Sequence, residues 1–180
     1  MKRIRIKVNR CIGCKLCEIA CAKEHSTSND LVEAARESPR PLSRIRVERG
    51  IRILSEEERR APFGESKMKL PAKSVYPLRC IHCPEPNCVD ACITGGLRKD
   101  KDGTVVHDPE KCVGCWMCIM ACPFGAIRQD VVNHIIVKCD LCPTREVPAC
   151  VEACKTGAIE LLEPKEASKT STEQVVGEIG

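Results

Sequence analysis

Charged and apolar residues alternate from Met1 to Val8 and again from Ser43 to Glu48, where Ser-Arg-Ile-Arg-Val-Glu predicts an exposed strand. Ser74 to Leu78 is a second extended stretch able to pair with it. Leu97-Arg98 runs through an Asp102-Gly103 turn into Thr104-Val105-Val106-His107, which predicts a hairpin. Ile127-Arg128 and His134 to Lys138 predict another, turning near Asn133. Helices are predicted to be short: one turn at Glu18-Ile19-Ala20, one at Ile119-Met120-Ala121, and a longer one from Asp30 to Glu37 capped by Asn29 or Asp30. Ile51 to Leu70, with Pro62 and Gly64, predicts a surface loop. The Lys/Ser/Thr/Glu-rich tail beyond Pro164 predicts disorder or a strap over a neighbour.

A turn recurs among these elements. Cys92-Ile-Thr-Gly95, Cys122-Pro-Phe-Gly125 and Cys154-Lys-Thr-Gly157 each place glycine three residues after a cysteine, where a chain leaves a short helix and bends into a strand. The internal repeat is therefore a cysteine loop, a short helix and a strand. Such elements leave little to fill a core, because only Phe63, Tyr76, Trp116 and Phe124 are aromatic. Small domains short of core rely on disulfides or metal.

Cysteine supplies what the aromatics do not. The sixteen cysteines form four groups of four. Cys11, Cys14, Cys17 and Cys21 follow C-x2-C-x2-C-x3-C, and Cys112, Cys115, Cys118 and Cys122 repeat that spacing with Pro123 next. Cys80, Cys83, Cys88 and Cys92 follow C-x2-C-x4-C-x3-C, and Cys139, Cys142, Cys150 and Cys154 follow C-x2-C-x7-C-x3-C. The run C-x2-C-x2-C-x3-C-P binds a [4Fe–4S] cluster in bacterial ferredoxins. Four such groups imply four [4Fe–4S] clusters, with iron held by all sixteen cysteines and the metal-free chain largely unfolded. Zinc sites of four cysteines use two C-x2-C pairs with a longer spacer, and a C-x3-C exit helix serves no purpose there. Disulfides are disfavoured by a cytoplasmic location, expected because neither a secretory leader nor a membrane-spanning run is present in the sequence.

In two-cluster ferredoxins the fourth cysteine of a run ligates the other cluster, because it projects from a helix that has left its own loop. Pairing groups two and three gives one set of Cys80, Cys83, Cys88 and Cys122 and another of Cys112, Cys115, Cys118 and Cys92. The outer groups then give Cys11, Cys14, Cys17 and Cys154, and Cys139, Cys142, Cys150 and Cys21. The competing scheme pairs one with two and three with four. The first scheme predicts an α+β protein of two pseudo-symmetric two-cluster modules, one inserted in the other. The outer module is 1–21 with 133–164, the inner 80–132, the insertion 22–79, and the flexible tail 165–180. From Arg36 to Arg79 twelve Lys/Arg face six acids, a net +6. That predicts a solvated insertion or a docking face for an acidic partner. Nucleic acid is disfavoured, because Phe63 and Tyr76 alone are too few aromatics among the basic residues to form a base-stacking surface.

Cys-Val-Asp-Ala-Cys (88–92), Cys-Val-Gly-Cys-Trp-Met-Cys-Ile-Met-Ala-Cys-Pro-Phe-Gly-Ala-Ile (112–127) and Lys-Cys-Asp-Leu-Cys-Pro (138–143) resemble the four-cluster electron-transfer subunits of the dimethyl-sulfoxide-reductase type. The segment 17–26, followed by Ser-Arg-Ile-Arg-Val-Glu, resembles the CooF-like branch, whose partner is nickel carbon monoxide dehydrogenase. The resemblance implies the one-with-four, two-with-three exchange and a low-potential role. Ile93 and Lys155 stand where that family often has proline.

No cysteine is left over as a nucleophile and no glycine pattern offers a nucleotide site, so the chain is expected to conduct electrons and not to catalyse. His25, His82, His107 and His134 are scattered, with His82 read mainly as packing, Trp116 as cluster shielding, and Met117 and Met120 as core filler. The expected partner is carbon monoxide dehydrogenase, passing electrons on to a hydrogenase or flavin-dependent oxidoreductase. The alternatives are a molybdenum or tungsten aldehyde or formate oxidoreductase, or service as a free polyferredoxin.

Overall fold

The computed structural model describes residues 1–49 and 75–162. The surface loop expected at Ile51 to Leu70 and the tail beyond Pro164 lie outside the described residues. In chain order the elements are β1 (Arg3–Ile6), α1 (Leu16–Glu24), α2 (Leu31–Arg36), β2 (Ile45–Arg49), β3 (Val75–Arg79), α3 (Asn87–Asp90), β4 (Leu97–Lys99), β5 (Val105–His107), α4 (Met117–Ala121), β6 (Arg128–Asp130), β7 (Ile135–Val137), α5 (Ala149–Glu152) and β8 (Ile159–Leu162). This is a mixed α+β chain of small ferredoxin-like parts. One-turn 3-10 helices at Val8–Arg10 and Pro109–Lys111 lead into Cys11 and Cys112.

The strands form four antiparallel ribbons among the described residues, β1 with β8, β2 with β3, β4 with β5 and β6 with β7. The first joins the two ends of the described chain, setting Ile4 opposite Leu161 and Ile6 opposite Ile159. Ile4 and Ile159 are buried, whereas Arg3 is exposed, which is why the alternation from Met1 to Val8 forms a strand. The pairing expected of the 43–48 stretch is present, with Ile45 opposite Arg79 and Val47 opposite Pro77. Its exposure is not: Ile45 and Val47 are buried, because alternate side chains of β2 enter the core while Arg46 and Glu48 form an ion pair at its edge.

Two apolar cores result, and cysteine is a main ingredient of both. One gathers Ile4, Ile45, Val47, Leu141 and Ile159 around Cys17, Cys21, Cys80, Cys139 and Cys150. The other gathers Leu97, Val105, Ile127 and Ile136 around Cys88 and Cys118. Helix α1 is longer than the single turn expected, because it continues past Cys21 to pack on α5 and β2. Helix α2 is capped by Asp30, whose carboxylate accepts from the Val32 and Glu33 N–H groups. The boundary expected between 132 and 133 falls inside the β6–β7 hairpin, so β7 hydrogen-bonds to a strand on the other side of that division. Met117 and Met120 are 52% and 84% exposed, so they are not core filler; Cys118, between them, takes the inward face of α4.

Backbone conformation carries the internal repeat further than residue identity does. The residue before the second cysteine of every group has positive φ: Gly13 at 72°, His82 at 56°, Gly114 at 64° and Leu141 at 64°. Turning the chain left-handed there directs successive N–H groups inward, the geometry of an anion-binding nest. At Gly114 a Cβ would stand 2.5 Å from the His134 carbonyl oxygen, whereas at Gly103, also left-handed, nothing lies within 4 Å. Both Gly→Ala changes lose about 1–2 kcal/mol to conformation, and only Gly114→Ala must also displace backbone. Thermal unfolding of the loaded protein should therefore show a clearly larger drop for Gly114→Ala than for Gly103→Ala; equal drops would contradict the close approach.

Candidate metal centres

Local structure brings together cysteines that are distant in sequence. Cys80, Cys83 and Cys88, from the loop after β3 and the start of α3, line one cavity with Cys122 from the end of α4. Cys112, Cys115 and Cys118 line another with Cys92, which follows α3. In both, the fourth thiol comes from the other loop, because α3 and α4 pack together and each carries its last cysteine out of its own group. Apolar side chains complete the walls, Val105, Phe124 and Ile127 in the first cavity and Leu97, Trp116 and Ile136 in the second. Trp116 thus covers a thiol set.

Helix α1, which buries Cys17 and Cys21, packs on α5, which buries Cys150. Burial pushes the Cys142 thiol up to about 11, with the neighbouring Asp140, Cys21 and Cys139 adding to it. Cys150 is driven up further, first by burial and then by Cys139 and Cys21. Cys21 is therefore close to Cys142 and Cys150, and Cys139 shares their core. Cys17 is pushed up to about 12 by burial, with Glu18, Cys11 and Cys14 contributing. Cys154, just past α5, packs on the core that contains Cys17. Burial likewise raises Cys88 and Cys118 to about 11. Iron must displace these protons, so loading the sites releases acid. Cys14 and Cys115 are exposed, which puts a ligand of groups one and three at the surface.

The donor sets suit iron–sulfur clusters by chemistry and by what surrounds them. Cys21 Sγ accepts from the Arg44 N–H at 3.1 Å, and Cys92 Sγ accepts from the Leu97 N–H at 3.3 Å. Such N–H donors offset charge on sulfur. His107 lines the Cys92 cavity, and its buried Nε2 has no hydrogen-bond partner among the described residues, leaving a polar atom for a cluster sulfur. His82 is buried, its Nδ1 accepts from the Val105 N–H at 3.0 Å, and its Nε2 has no hydrogen-bond partner among the described residues. Burial, helped by Lys138 and Arg79, pushes its pKa down to about 3, so it is neutral.

A polar network flanks the Cys139 loop. Asp140 accepts from Arg44 Nη1 at 2.5 Å and from His25 Nε2 at 3.2 Å. Burial opposes the charge on His25, but hydrogen bonds to Asp140 and Cys21 outweigh it and raise the pKa to about 10. Burial also opposes the charge on Asp140, and His25 and Arg44 hold that carboxyl well below its ordinary range. His25, Asp140 and Cys142 lie close enough to hold a single metal ion. However, Asp140 is already held by Arg44, and Cys142 stands with Cys139, Cys150 and Cys21. Part of the basic stretch is thereby used internally: Arg44 binds Asp140, Arg46 donates to the Gly125 carbonyl at 2.7 Å, and Arg79 is buried. Neither a solvated face nor a docking face describes these residues.

Arg79 and Lys138 are 5% and 3% exposed, a burial that the sequence did not predict for either. A signal for them exists: a basic residue directly precedes the first cysteine of every group, Arg10, Arg79, Lys111 and Lys138. Which of the four are buried is not visible in that pattern.

Residues 71–163 match the 4Fe-4S dicluster domain and residues 8–24 a 4Fe-4S binding domain. The chain is 34% identical to the putative oxidoreductase UacF of Escherichia coli over 91% of its own length, but spans only 22% of that protein. It is 30% identical to the iron–sulfur subunit of the nitrate-inducible formate dehydrogenase of E. coli, covering 94% of this chain and 57% of the subunit. It is also 30% identical to the electron transport protein HydN of E. coli, covering 92% of this chain and 90% of that one. No helix among the described residues is long and apolar enough to cross a membrane. Sixteen cysteines in these groups fit four [4Fe–4S] clusters, and the chain belongs to the 4Fe–4S dicluster family of ferredoxin-type iron–sulfur proteins.

Proposed function

We propose that the chain is the electron-transfer subunit of a formate-oxidising molybdenum or tungsten enzyme, carrying single electrons along four clusters in a row. The single observation that carries the wire is the crossing of Cys92 and Cys122 into each other's cavities, which sets two thiol sets side by side. The likeness to a formate dehydrogenase subunit favours the partner. Carbon monoxide dehydrogenase, hydrogenase and flavin-dependent partners rest on the sequence resemblance alone.

The ligand sets proposed are Cys112, Cys115, Cys118 and Cys92; Cys80, Cys83, Cys88 and Cys122; Cys139, Cys142, Cys150 and Cys21; and Cys11, Cys14, Cys17 and Cys154. Each bound cluster accepts and returns one electron. The nearness of Cys80 to Cys139 supports a junction between the second and third sets, and β1–β8 pairing supports an outer module closed around an inner one. In that arrangement the β6–β7 hairpin stays with the inner module. The chain's residues bury all four thiols of the Cys139 set and Cys80 and Cys88 of the Cys80 set, and leave Cys14 and Cys115 at the surface, one at each end of the row.

Anaerobically loaded protein should contain about 16 iron and 16 sulfide per chain, from four clusters of four; stoichiometric zinc would reject the assignment. Cys122→Ala should alter the paramagnetic signal of the cluster at Cys80, and Cys154→Ala that of the cluster at Cys11. Disturbance confined to the mutated group's own loop would overturn the exchange. Chain purified natively and anaerobically should co-elute with molybdenum or tungsten, and formate should bleach its clusters. Elution as a lone, formate-insensitive polypeptide would favour the free polyferredoxin.

A further inference from the structure

Two of the four basic residues that precede a cysteine group are buried at the meeting point of the cores, and neither has an acidic partner among the described residues. Arg79 donates from Nη1 to the Cys80 carbonyl at 2.6 Å and from Nη2 to the Ile4 carbonyl at 2.6 Å. Its Nε is buried with no hydrogen-bond partner among the described residues. Lys138 donates to the Val105 carbonyl at 2.5 Å and to the Cys139 carbonyl at 2.7 Å. The outer two differ. Arg10 and Lys111 are 54% and 60% exposed and lie 3.8 and 3.4 Å from Glu160 and Asp108.

The two buried cations mirror each other. Arg79 adjoins the first ligand of the second set and reaches into β1, while Lys138 adjoins the first ligand of the third set and reaches Val105, a wall of the cavity lined by Cys80, Cys83, Cys88 and Cys122. An isolated ammonium or guanidinium buried in protein is strongly unfavourable, and carbonyl dipoles alone leave its charge uncompensated. No carboxylate pairs with either among the described residues, and Asp140, beside Cys139, is held by Arg44 and His25. The remaining source of negative charge here is the thiolate-ligated clusters.

We propose that Arg79 and Lys138 are the counter-ions of the two clusters at the module junction, and that they raise the potentials of those clusters. The inference rests on the four-cluster reading and deepens it. Reduction makes a cluster one unit more negative, and burial penalises that added charge. Without compensation the two inner clusters would be harder to reduce than the outer two, whose loops reach solvent at Cys14 and Cys115. Arg79 and Lys138 offset that penalty, so an electron crossing the junction meets no step uphill. Charge and hydrogen bonding around a cluster are established determinants of its potential. Electrostatics already couple the pair to the ligands: Lys138 acts on Cys88 and Cys139, and Arg79 on Cys139 and Cys150. Both are positioning residues in this sense, acting on the transfer through the clusters.

The test is a mediator-buffered redox titration of the full chain, read by electron paramagnetic resonance, with iron counted in every sample. Lys138→Gln and Arg79→Gln keep a hydrogen-bond donor and remove the charge; Lys138→Arg and Arg79→Lys keep it. In the Gln variants one or both junction clusters should become at least tenfold harder to reduce, ~59 mV for one electron, with the charge-retaining variants near wild type. Loss of iron from the Gln variants alone would also support the counter-ion role. Fully loaded Gln variants with unmoved potentials would overturn it. So would equal shifts, or equal loss of iron, in the charge-retaining variants. Wild-type protein lacking the full iron complement would instead sink the four-cluster reading itself.

Discussion

Gathering four thiols at one point inside a chain with four aromatic residues makes cysteine, with iron in place, do the work of a core. The cysteines are the hubs of both apolar cores, and their burial raises the pKa values of several thiols well above the ordinary range. A buried thiol cannot ionise cheaply without a cation. The same burial that stabilises the fold therefore demands iron to complete it. Short ribbons and one-turn helices suffice as supports because each needs only to present one or two ligands.

The left-handed residue before the second cysteine shows how backbone geometry serves that demand. Glycine fills it in groups one and three, whereas His82 and Leu141 adopt the same conformation in groups two and four. Non-glycine residues in that region carry strain unless their surroundings hold them. His82 is held by the Val105 N–H, and Leu141 is buried in the core beside its loop. The conformation is repeated although the residue type is not.

Charge is organised around the same thiols. The basic stretch read as a surface feature sends Arg44 to Asp140, Arg46 to Gly125 and Arg79 inward to carbonyls of Ile4 and Cys80. Net charge counted along a sequence cannot distinguish a cation facing solvent from one facing a cofactor. Arg10 and Lys111, next to carboxylates at the surface, and Arg79 and Lys138, deep between the cores, occupy the same place in the repeat.

Ligand type, ligand number and the three glycine turns were legible in the sequence because they are local: spacing along a few residues dictates which loop can hold metal. The turns at Gly95, Gly125 and Gly157 indeed have positive φ. The hairpin at 97–107 was legible for the same reason, since an Asp-Gly turn and flanking alternation act over a dozen positions. Tertiary structure alone decided that β1 meets β8, that one face of β2 is core, that Met120 faces solvent while Cys118 faces in, and that two of four equivalent cations are buried. Those outcomes depend on which surfaces remain after distant segments pack. Periodicity along the chain says that a residue has a face, and only its neighbours in space say what that face touches.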